Sequence, residues 1–369
     1  MVNLSLRDGG KRVAGRVMLR VDDQPTYTND LMLEGMLWWY DAMGDSSYLE
    51  YVFSVINRRG WNPGKGLSWE NQPFVCIHFN LYLQTGDSQW LARFVEVAND
   101  FRARVPRSTD GAVAFADRPE TGRIYVDYLQ NYATWMARAG WLSDDRSFFD
   151  EAVTQYQLYR DALRDPKTGL WSQGRGWGTN RDFVSPLGWL RGQGWILRGM
   201  VETLTYLPGD HSGHERMRAM LKEFTRALVG YQDRRGMWHE VPHRMDSYQE
   251  TTGTGFITHY FYRAIAQGFL DDSEIRMVAG RAAEALPQFI TRDGTVLNGS
   301  SGCGPLFDAE HYLHRDAPPG EAHTTGTMLM GLSGPFMLTA AKSKMSLWRT
   351  LLKDREGRAG KHEIVQQSN

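Results

Sequence analysis

Leu31-Met-Leu-Glu-Gly-Met-Leu-Trp-Trp-Tyr-Asp-Ala-Met43, followed at once by Gly44-Asp45-Ser-Ser-Tyr-Leu49, is the stretch on which the fold turns. A long apolar and aromatic run stops at a glycine, and an acidic residue then opens a second periodic run. A glycine after a helical run supplies the left-handed backbone that ends a helix. An Asp before a new run accepts hydrogen bonds from the free amides of the next first turn. The stretch therefore reads as two helices joined by a tight turn.

The same grammar recurs. Gly86-Asp87-Ser-Gln-Trp-Leu follows the run Pro73–Gln84, Leu142-Ser143-Asp144-Asp145 follows Val126–Ala139, and Leu270-Asp271-Asp272-Ser273-Glu274 follows Thr254–Gln267. A spacing of roughly 40–65 residues marks helical hairpin repeats. Between the units lie Gly/Pro-containing loops: Gly60–Gly66, Pro106–Gly122, Asp165–Pro186, Arg234–Gly253 and Asp293–Gly320. Loops of that length in a compact domain are commonly functional. Strand-like alternation is scarce, with Ala112–Phe115 and Thr295–Leu297 the best candidates. About six hairpins with their long loops on one face predict an all-α closed toroid, the (α/α)6 barrel. An open solenoid shares the pattern, but the chain lacks the polar terminal repeats that an open stack needs. The reading is one barrel over residues 1–353 and a polar tail over 354–369.

A net charge of -1 on 369 residues offers nothing to a nucleic acid or an anionic membrane. No stretch has the length of a membrane span, and Met1–Arg20 lacks the apolar core of a signal peptide, so a cytoplasmic location is expected. Two cysteines, Cys76 and Cys303, make neither a disulfide framework nor a C-x-x-C metal motif. The 13 Trp, 16 Tyr and 16 Phe suit a sugar-lined cavity and a large helical core equally well.

Two segments carry the chemistry. Gly122-Arg-Ile-Tyr-Val-Asp-Tyr-Leu-Gln-Asn-Tyr132 sets a lone carboxylate, Asp127, in an aromatic run; Ser185-Pro-Leu-Gly-Trp-Leu-Arg-Gly-Gln-Gly-Trp-Ile196 gathers Trp189, Arg191 and Trp195 around glycines. Aromatic faces for sugar C–H surfaces, an Arg for a carboxylate and a desolvated acid for proton transfer are what a saccharide site needs.

Set in order along the chain, these segments resemble the unsaturated glucuronyl and rhamnogalacturonyl hydrolases, glycoside hydrolase families 88 and 105. The resemblance runs through Pro106-Arg107, Val126-Asp127-Tyr128-Leu129, Asp165-Pro-Lys-Thr-Gly-Leu-Trp171, Ser185-Pro186 with Trp189–Trp195, Tyr231-Gln-Asp-Arg-Arg-Gly-Met-Trp238 and Tyr248-Gln-Glu250-Thr-Thr-Gly-Thr-Gly-Phe256, over approximately residues 30–300. It implies an (α/α)6 barrel that uses no metal or organic cofactor. It also implies a short oligosaccharide substrate ending in an unsaturated uronic acid. An aspartic acid protonates C4 of the C4=C5 bond, water adds at C5, and the resulting hemiketal opens and expels the neighbouring sugar.

Asp127 matches one family aspartate. Where the family places a second, after a Gly-Leu pair, this chain reads Gly169-Leu-Trp-Ser-Gln173-Gly-Arg-Gly-Trp177 and holds no carboxylate, with Gln173 near the family histidine. Three arrangements stay open: Asp182 takes over, Asp127 works with another acid such as Glu250, or the chemistry has changed. Asp182 could equally be a salt-bridge partner of Arg175, Arg181 or Arg191. Arg191 either forks onto a substrate carboxylate or braces the barrel through backbone carbonyls. Trp189 and Trp195 are candidate stacking walls, with a core role expected for at least one. Glu250 opens a helix whose amides could meet a ligand oxygen or simply be capped. His78 lies on an aromatic run and either lines the cavity or is a core histidine. His239 and His243 flank Pro242, which argues against a helical zinc pair, and the loop histidines His311, His314 and His323 lack a second metal motif. Ser300-Ser-Gly-Cys303 has no strand–turn–helix context of a nucleophile elbow.

The expectation is a glycoside hydrolase with Asp127 and Asp182 catalytic and Arg191, Trp189, Trp195, Gln173, His78 and Glu250 binding substrate. Another (α/α)6 carbohydrate enzyme (a saturated glycoside hydrolase, lyase or epimerase) and a non-catalytic sugar-binding barrel are the alternatives. The sequence does not fix the oligomeric state.

Overall fold

The computed structural model describes residues 4–60, 77–114, 122–177, 180–271, 273–305 and 307–340. Cys76, the first part of the run from residue 73 and the tail over 354–369 lie outside the described residues. Thirteen α-helices occur among those described: α1 (Leu6–Arg20), α2 (Tyr27–Met43), α3 (Ser46–Arg58), α4 (Ile77–Thr85), α5 (Phe94–Arg104), α6 (Val126–Ser143), α7 (Arg146–Leu163), α8 (Leu190–Tyr206), α9 (His214–Val229), α10 (Thr251–Ala266), α11 (Ser273–Ala285), α12 (Ala309–Leu313) and α13 (Ala322–Ala340).

The turns form as their residue types dictate. Gly44 and Gly86 adopt φ of 70° and 71°. The carboxylates of Asp45, Asp87 and Asp145 accept from the amides of Ser47, Gln89 and Ser147 at 2.9–3.0 Å, each two residues on. One unit departs from the rule: Asp87 opens a 3-10 turn, Ser88–Leu91, and α5 begins only at Phe94.

Two kinds of helix emerge. In α8 every position from Leu190 to Tyr206 is buried; α2, α6 and α10 are nearly as dry. A helix buried all round belongs inside a larger body. By contrast α9 buries one stripe, Met217, Met220, Leu221, Phe224, Thr225 and Leu228, the spacing of an outer helix with one wet face. The dry helices form an inner ring. α2 packs on α4, α6 on α8, α8 on α10, α10 on α13, and α13 returns to α2. Phe79 of α4 joins the ring to α6 and α8 through Trp141 and Tyr206, ring centroids 6.2 and 5.4 Å away. Helices α3, α5, α7, α9 and α11 each follow an inner helix, and α1 packs on α13 and α2. The ring is closed, which decides between the toroid and the open solenoid.

Closure requires close backbone approach. A Cβ built on Gly326 of α13 would lie 2.3 Å from the Leu31 carbonyl oxygen of α2, and one on Gly255 of α10 would lie 2.4 Å from that of Thr327. Glycine is the residue that lets these helices touch.

Among the described residues the strand candidates do not become strands; Phe115 lies outside them. Val113 and Val296 each form only an isolated bridge, to Arg107 and Ile290. The extended pairing is instead between β1 (Ile124–Tyr125) and β2 (Gly174–Arg175), antiparallel, which ties the loop before α6 to the loop before α8.

Deep in the ring lies an ionic floor. Glu202 of α8 meets Arg263 of α10 through both carboxylate oxygens and Arg138 of α6 at 3.4 Å. Arg198 bonds Glu34 at 2.7 Å. Burial alone would raise Glu202, but Arg263, Arg138 and Arg198 together outweigh it and hold the carboxyl at about 2.

Candidate active site

The inner helices α6, α8 and α10 are each reached by a long loop and left by a shorter turn, so they run in the same direction, and the Tyr27–His323 contact brings the first turns of α2 and α13 together. Their N-termini therefore share one face. Asp127, Arg191, Thr252 and His323 are each the second residue of α6, α8, α10 and α13, and Tyr27 is the first of α2. First-turn amides have no partner within their own helix, and each N-terminus carries a partial positive charge; here loop carbonyls and the carboxylates of Glu250 and Glu321 take several of these amides. A ring of parallel N-termini favours an anionic ligand at its centre.

Asp127 is 6% exposed, and its Oδ2 is buried without a hydrogen-bond partner. Burial raises its carboxyl to about 8, with the nearby Arg191 guanidinium opposing. At neutral pH it is a carboxylic acid with a proton to give. Tyr125, Tyr27, Arg191 and Cys303 lie near enough for their charges and that of Asp127 to act on one another. Burial pushes the Cys303 thiol up to about 12, so it is no nucleophile.

Arg191 takes the bracing role. Its Nη1 donates to the Ser300 carbonyl at 2.5 Å and to Ser300 Oγ at 3.2 Å, and its Nη2 donates to the Ser301 carbonyl at 3.1 Å. It thereby pins the 298–305 loop to α8. Trp189 sits beneath it, the guanidinium carbon 4.9 Å from the ring centroid. Trp189 holds this place at φ 49°, a left-handed backbone that is rare for a bulky residue and costs on the order of 1–3 kcal/mol.

Several expected substrate contacts are buried or engaged within the protein. Trp195 is 1% exposed and packed on Phe256 at 4.5 Å, so it offers no face to a sugar. Trp189 is buried under Arg191 for the same reason. Glu250 is the N-cap of α10: it accepts from the amides of Thr252 and Gly253 at 2.8 and 2.7 Å and from that of Ser300 at 3.1 Å. Gln173 donates to the Cys303 carbonyl at 2.9 Å and accepts from the Tyr312 hydroxyl at 2.6 Å, joining two loops. His78 is buried, and desolvation pulls its imidazole down to about 4. Asp182 lies on an exposed turn capped by Asn180, while Arg175 pairs with Asp110 instead.

The three loop histidines part company. His311 of α12 and His314, its C-cap, are exposed, whereas His323 is buried at the ring mouth. Its Nδ1 meets the Glu321 carboxylate at 2.6 Å and its Nε2 meets the Tyr27 hydroxyl at 2.8 Å. Sequence reasoning passed over Tyr27 and Glu321. The available signal was position: each stands at or just before the start of an inner run, as Asp127 and Arg191 do. Behind Arg191, Glu240 is fully buried, and burial together with the Glu250 charge pushes its carboxyl well above the usual range.

Known proteins share this architecture. A glycoside hydrolase from family 105 of C. acetobutylicum ATCC 824 superposes with a TM-score of 0.77 at 20% identity, covering 88% of this chain and 98% of its own. The unsaturated glucuronyl hydrolase of Bacillus sp. GL1, responsible for glycosaminoglycan degradation, gives 0.66 at 17% identity over 92% and 98%. In sequence, the unsaturated rhamnogalacturonyl hydrolase YesR of Bacillus subtilis (strain 168) is 24% identical over 84% of this chain and 88% of its own. The unsaturated 3S-rhamnoglycuronyl hydrolase of Alteromonas sp. (strain LOR) is 25% identical over 44% and 42%. The family described as Glycosyl Hydrolase Family 88 matches residues 11–338, a span that takes in Tyr27, Asp127, Arg191 and His323 alike. The match runs along nearly the whole chain, which belongs to this glycoside hydrolase family.

Proposed function

We propose that this enzyme removes an unsaturated uronic acid from the end of a short oligosaccharide by hydrating its C4=C5 bond, and that Asp127 is the acid. The observation that carries the reading is the buried, protonated Asp127 at the common N-terminal face of the inner helices. An enol-ether alkene needs a proton at C4 before water can add at C5, and a carboxyl held near 8 keeps that proton at neutral pH. The substrate carboxylate beside C5 suits the positive helix ends. After addition, the C5 hemiketal opens to a ketone and the neighbouring sugar leaves from C1.

Arg191 contributes by holding the 298–305 loop and by its positive field. The substrate's remaining sugars would lie toward the long loops. The B. subtilis and Alteromonas relatives suggest rhamnose-linked unsaturated uronides as first probes. No helix among the described residues is long and apolar enough to cross a membrane; cytoplasmic action on imported oligosaccharides is part of the proposal.

Loss of the conjugated-alkene ultraviolet absorbance on adding enzyme to unsaturated disaccharides tests the reading. Asp127→Asn should abolish that loss while leaving the fold intact. Full activity in Asp127→Asn, or turnover confined to saturated glycosides, would overturn it.

A further inference from the structure

Hydration needs two proton movements: one onto C4 and one off the attacking water. Asp127 supplies the first. Among the described residues neither expected second carboxylate is at hand, since Glu250 caps α10 and Asp182 is exposed on a turn. The described residues nevertheless hold a second proton-handling chain, joining the first turns of α2 and α13 from segments 296 residues apart.

The chain is directional. Glu321 is largely buried, and its carboxyl is held below the usual range: burial opposes, but the hydrogen bond from His323, with the Arg191 charge assisting, outweighs it. As a carboxylate it can only accept, so the Nδ1 it meets at 2.6 Å must carry the proton. Burial, aided by Arg191, holds the His323 imidazole below its ordinary value against Glu321, so the ring is neutral. Its Nε2 is then an acceptor, and the Tyr27 hydroxyl at 2.8 Å donates to it. The hydroxyl hydrogen thus points inward, and toward an incoming molecule the Tyr27 oxygen acts as an acceptor. Tyr27 is 42% exposed where His323 is 5% exposed, so the chain runs from the mouth into the wall. The charged groups acting on His323 are Glu321 on its own segment and Arg191 of α8, with Tyr27 of α2 against the ring. In the inner ring, α13 and α2 are neighbours, and Tyr27 lies near enough to Asp127 of α6 for the two charges to act on each other.

We infer that Tyr27, backed by His323 and Glu321, takes the proton from the attacking water, so that the enzyme adds a proton from α6 and receives one at α2. The inference rests on the hydration reading above. Asp127 gives its proton to C4 as the π pair forms the C4–H bond, and the water oxygen bonds C5. The water's proton passes to the Tyr27 oxygen while Tyr27's own proton moves to Nε2 of His323. The imidazolium so formed faces the Glu321 carboxylate. One proton is now in excess on His323 and one is missing from Asp127, and exchange with solvent at the mouth restores both. Tyr27 is the catalytic group; His323 and Glu321 position and polarise it.

Tyr27→Phe and His323→Gln in the full chain test the relay, with unsaturated disaccharide as substrate. Tyr27→Phe should lower kcat on the order of 100-fold with KM nearly unchanged. His323→Gln keeps an oxygen acceptor for Tyr27 and an amide donor for Glu321 but cannot take a proton. Its kcat should fall similarly, and the acid limb of the pH profile should disappear while the alkaline limb of Asp127 stays. Wild-type kcat in either variant, or an acid limb that survives in His323→Gln, overturns the relay. Nitrogen-15 spectra of the His323 ring read it without turnover. A neutral ring with its proton on Nδ1, and an Nε2 resonance that moves in Tyr27→Phe, are expected. A proton on Nε2, or an imidazolium at neutral pH, overturns the relay even in a protein that leaves every unsaturated sugar untouched. The relay and the hydration reading therefore fail by different measurements.

Discussion

Asp127→Asn should make this protein more stable, and by an amount that depends on pH in a defined way. The folded carboxyl sits at about 8 against an ordinary value of 3.8. Between those two values the folded chain binds a proton at this site that the unfolded chain does not. Stability then falls as pH rises, with a slope of about 1.4 kcal/mol per unit, the reverse of the usual salt-bridged Asp. At pH 7 the accumulated penalty is about 4 kcal/mol at most. Asparagine has the shape of the neutral acid and never ionises, so it escapes the penalty. Urea unfolding of the parent and of Asp127→Asn at a series of pH values between 4 and 8 reads the difference. The two should coincide near pH 4 and separate steadily above it, the variant the more stable. Parallel curves across the range would mean that the carboxyl ionises normally in the folded protein, and the assignment of Asp127 as the acid would lose its physical basis.

Other perturbations follow from the packing. Glu202→Gln strips the ionic floor of a charge that Arg138 and Arg263 both face, and should cost about 3–5 kcal/mol in denaturant unfolding, because it leaves buried cations uncompensated. Gly326→Ala sets a methyl 2.3 Å from the Leu31 carbonyl oxygen; the forced separation of α2 and α13 should cost roughly 1–3 kcal/mol, read as a lower unfolding midpoint at unchanged m-value. Arg191→Lys loses the fork onto the Ser300 and Ser301 carbonyls. Freed of that brace, the 298–305 loop should exchange its amide hydrogens faster than in the parent, and kcat/KM should drop; unchanged exchange would show the brace to be idle.

The hairpin plan was legible because it is written in local chemistry. Gly44-Asp45 and Gly86-Asp87 specify a left-handed stop and a capped start with no help from distant residues. The burial of Asp127 was legible for a related reason: a single acid among Tyr125, Tyr128 and Tyr132 is desolvated wherever that helix packs. What stayed hidden depends on pairs far apart in the chain. Whether Arg191 reaches a ligand or a carbonyl is settled by Ser300 and Ser301, more than a hundred residues away. Trp189 and Trp195 look alike in sequence, yet the first is turned under Arg191 by a left-handed backbone and the second is sealed against Phe256. His323 read as a member of a loose loop cluster until the closing of α13 on α2 gave it Tyr27. The strand-like Ala112–Phe115 and Thr295–Leu297 failed because a short alternating run in a loop finds a bridge, not a sheet.

Two features of the site pull on Asp127 in opposite directions, and their magnitudes decide the outcome. A position in the first turn of α6 favours the charged carboxylate, by about 0.3–1 kcal/mol and at most about 2 kcal/mol. Burial favours the neutral acid by several kcal/mol, and the net result is a carboxyl at about 8 in spite of Arg191. The helix ends can therefore attract a uronate without stripping the acid of its proton. In the proposed reaction a bound uronate would bring a like charge beside Asp127 and displace water, and both effects would raise the carboxyl further. Substrate binding would thus secure the proton that the reaction consumes. The alkaline limb of kcat, which reports the bound complex, should accordingly lie at higher pH than that of kcat/KM, which reports the free enzyme. Coincident limbs would place the substrate carboxylate far from Asp127, and a lower limb in kcat would mean that the acid is ionised in the complex and cannot be the donor to C4.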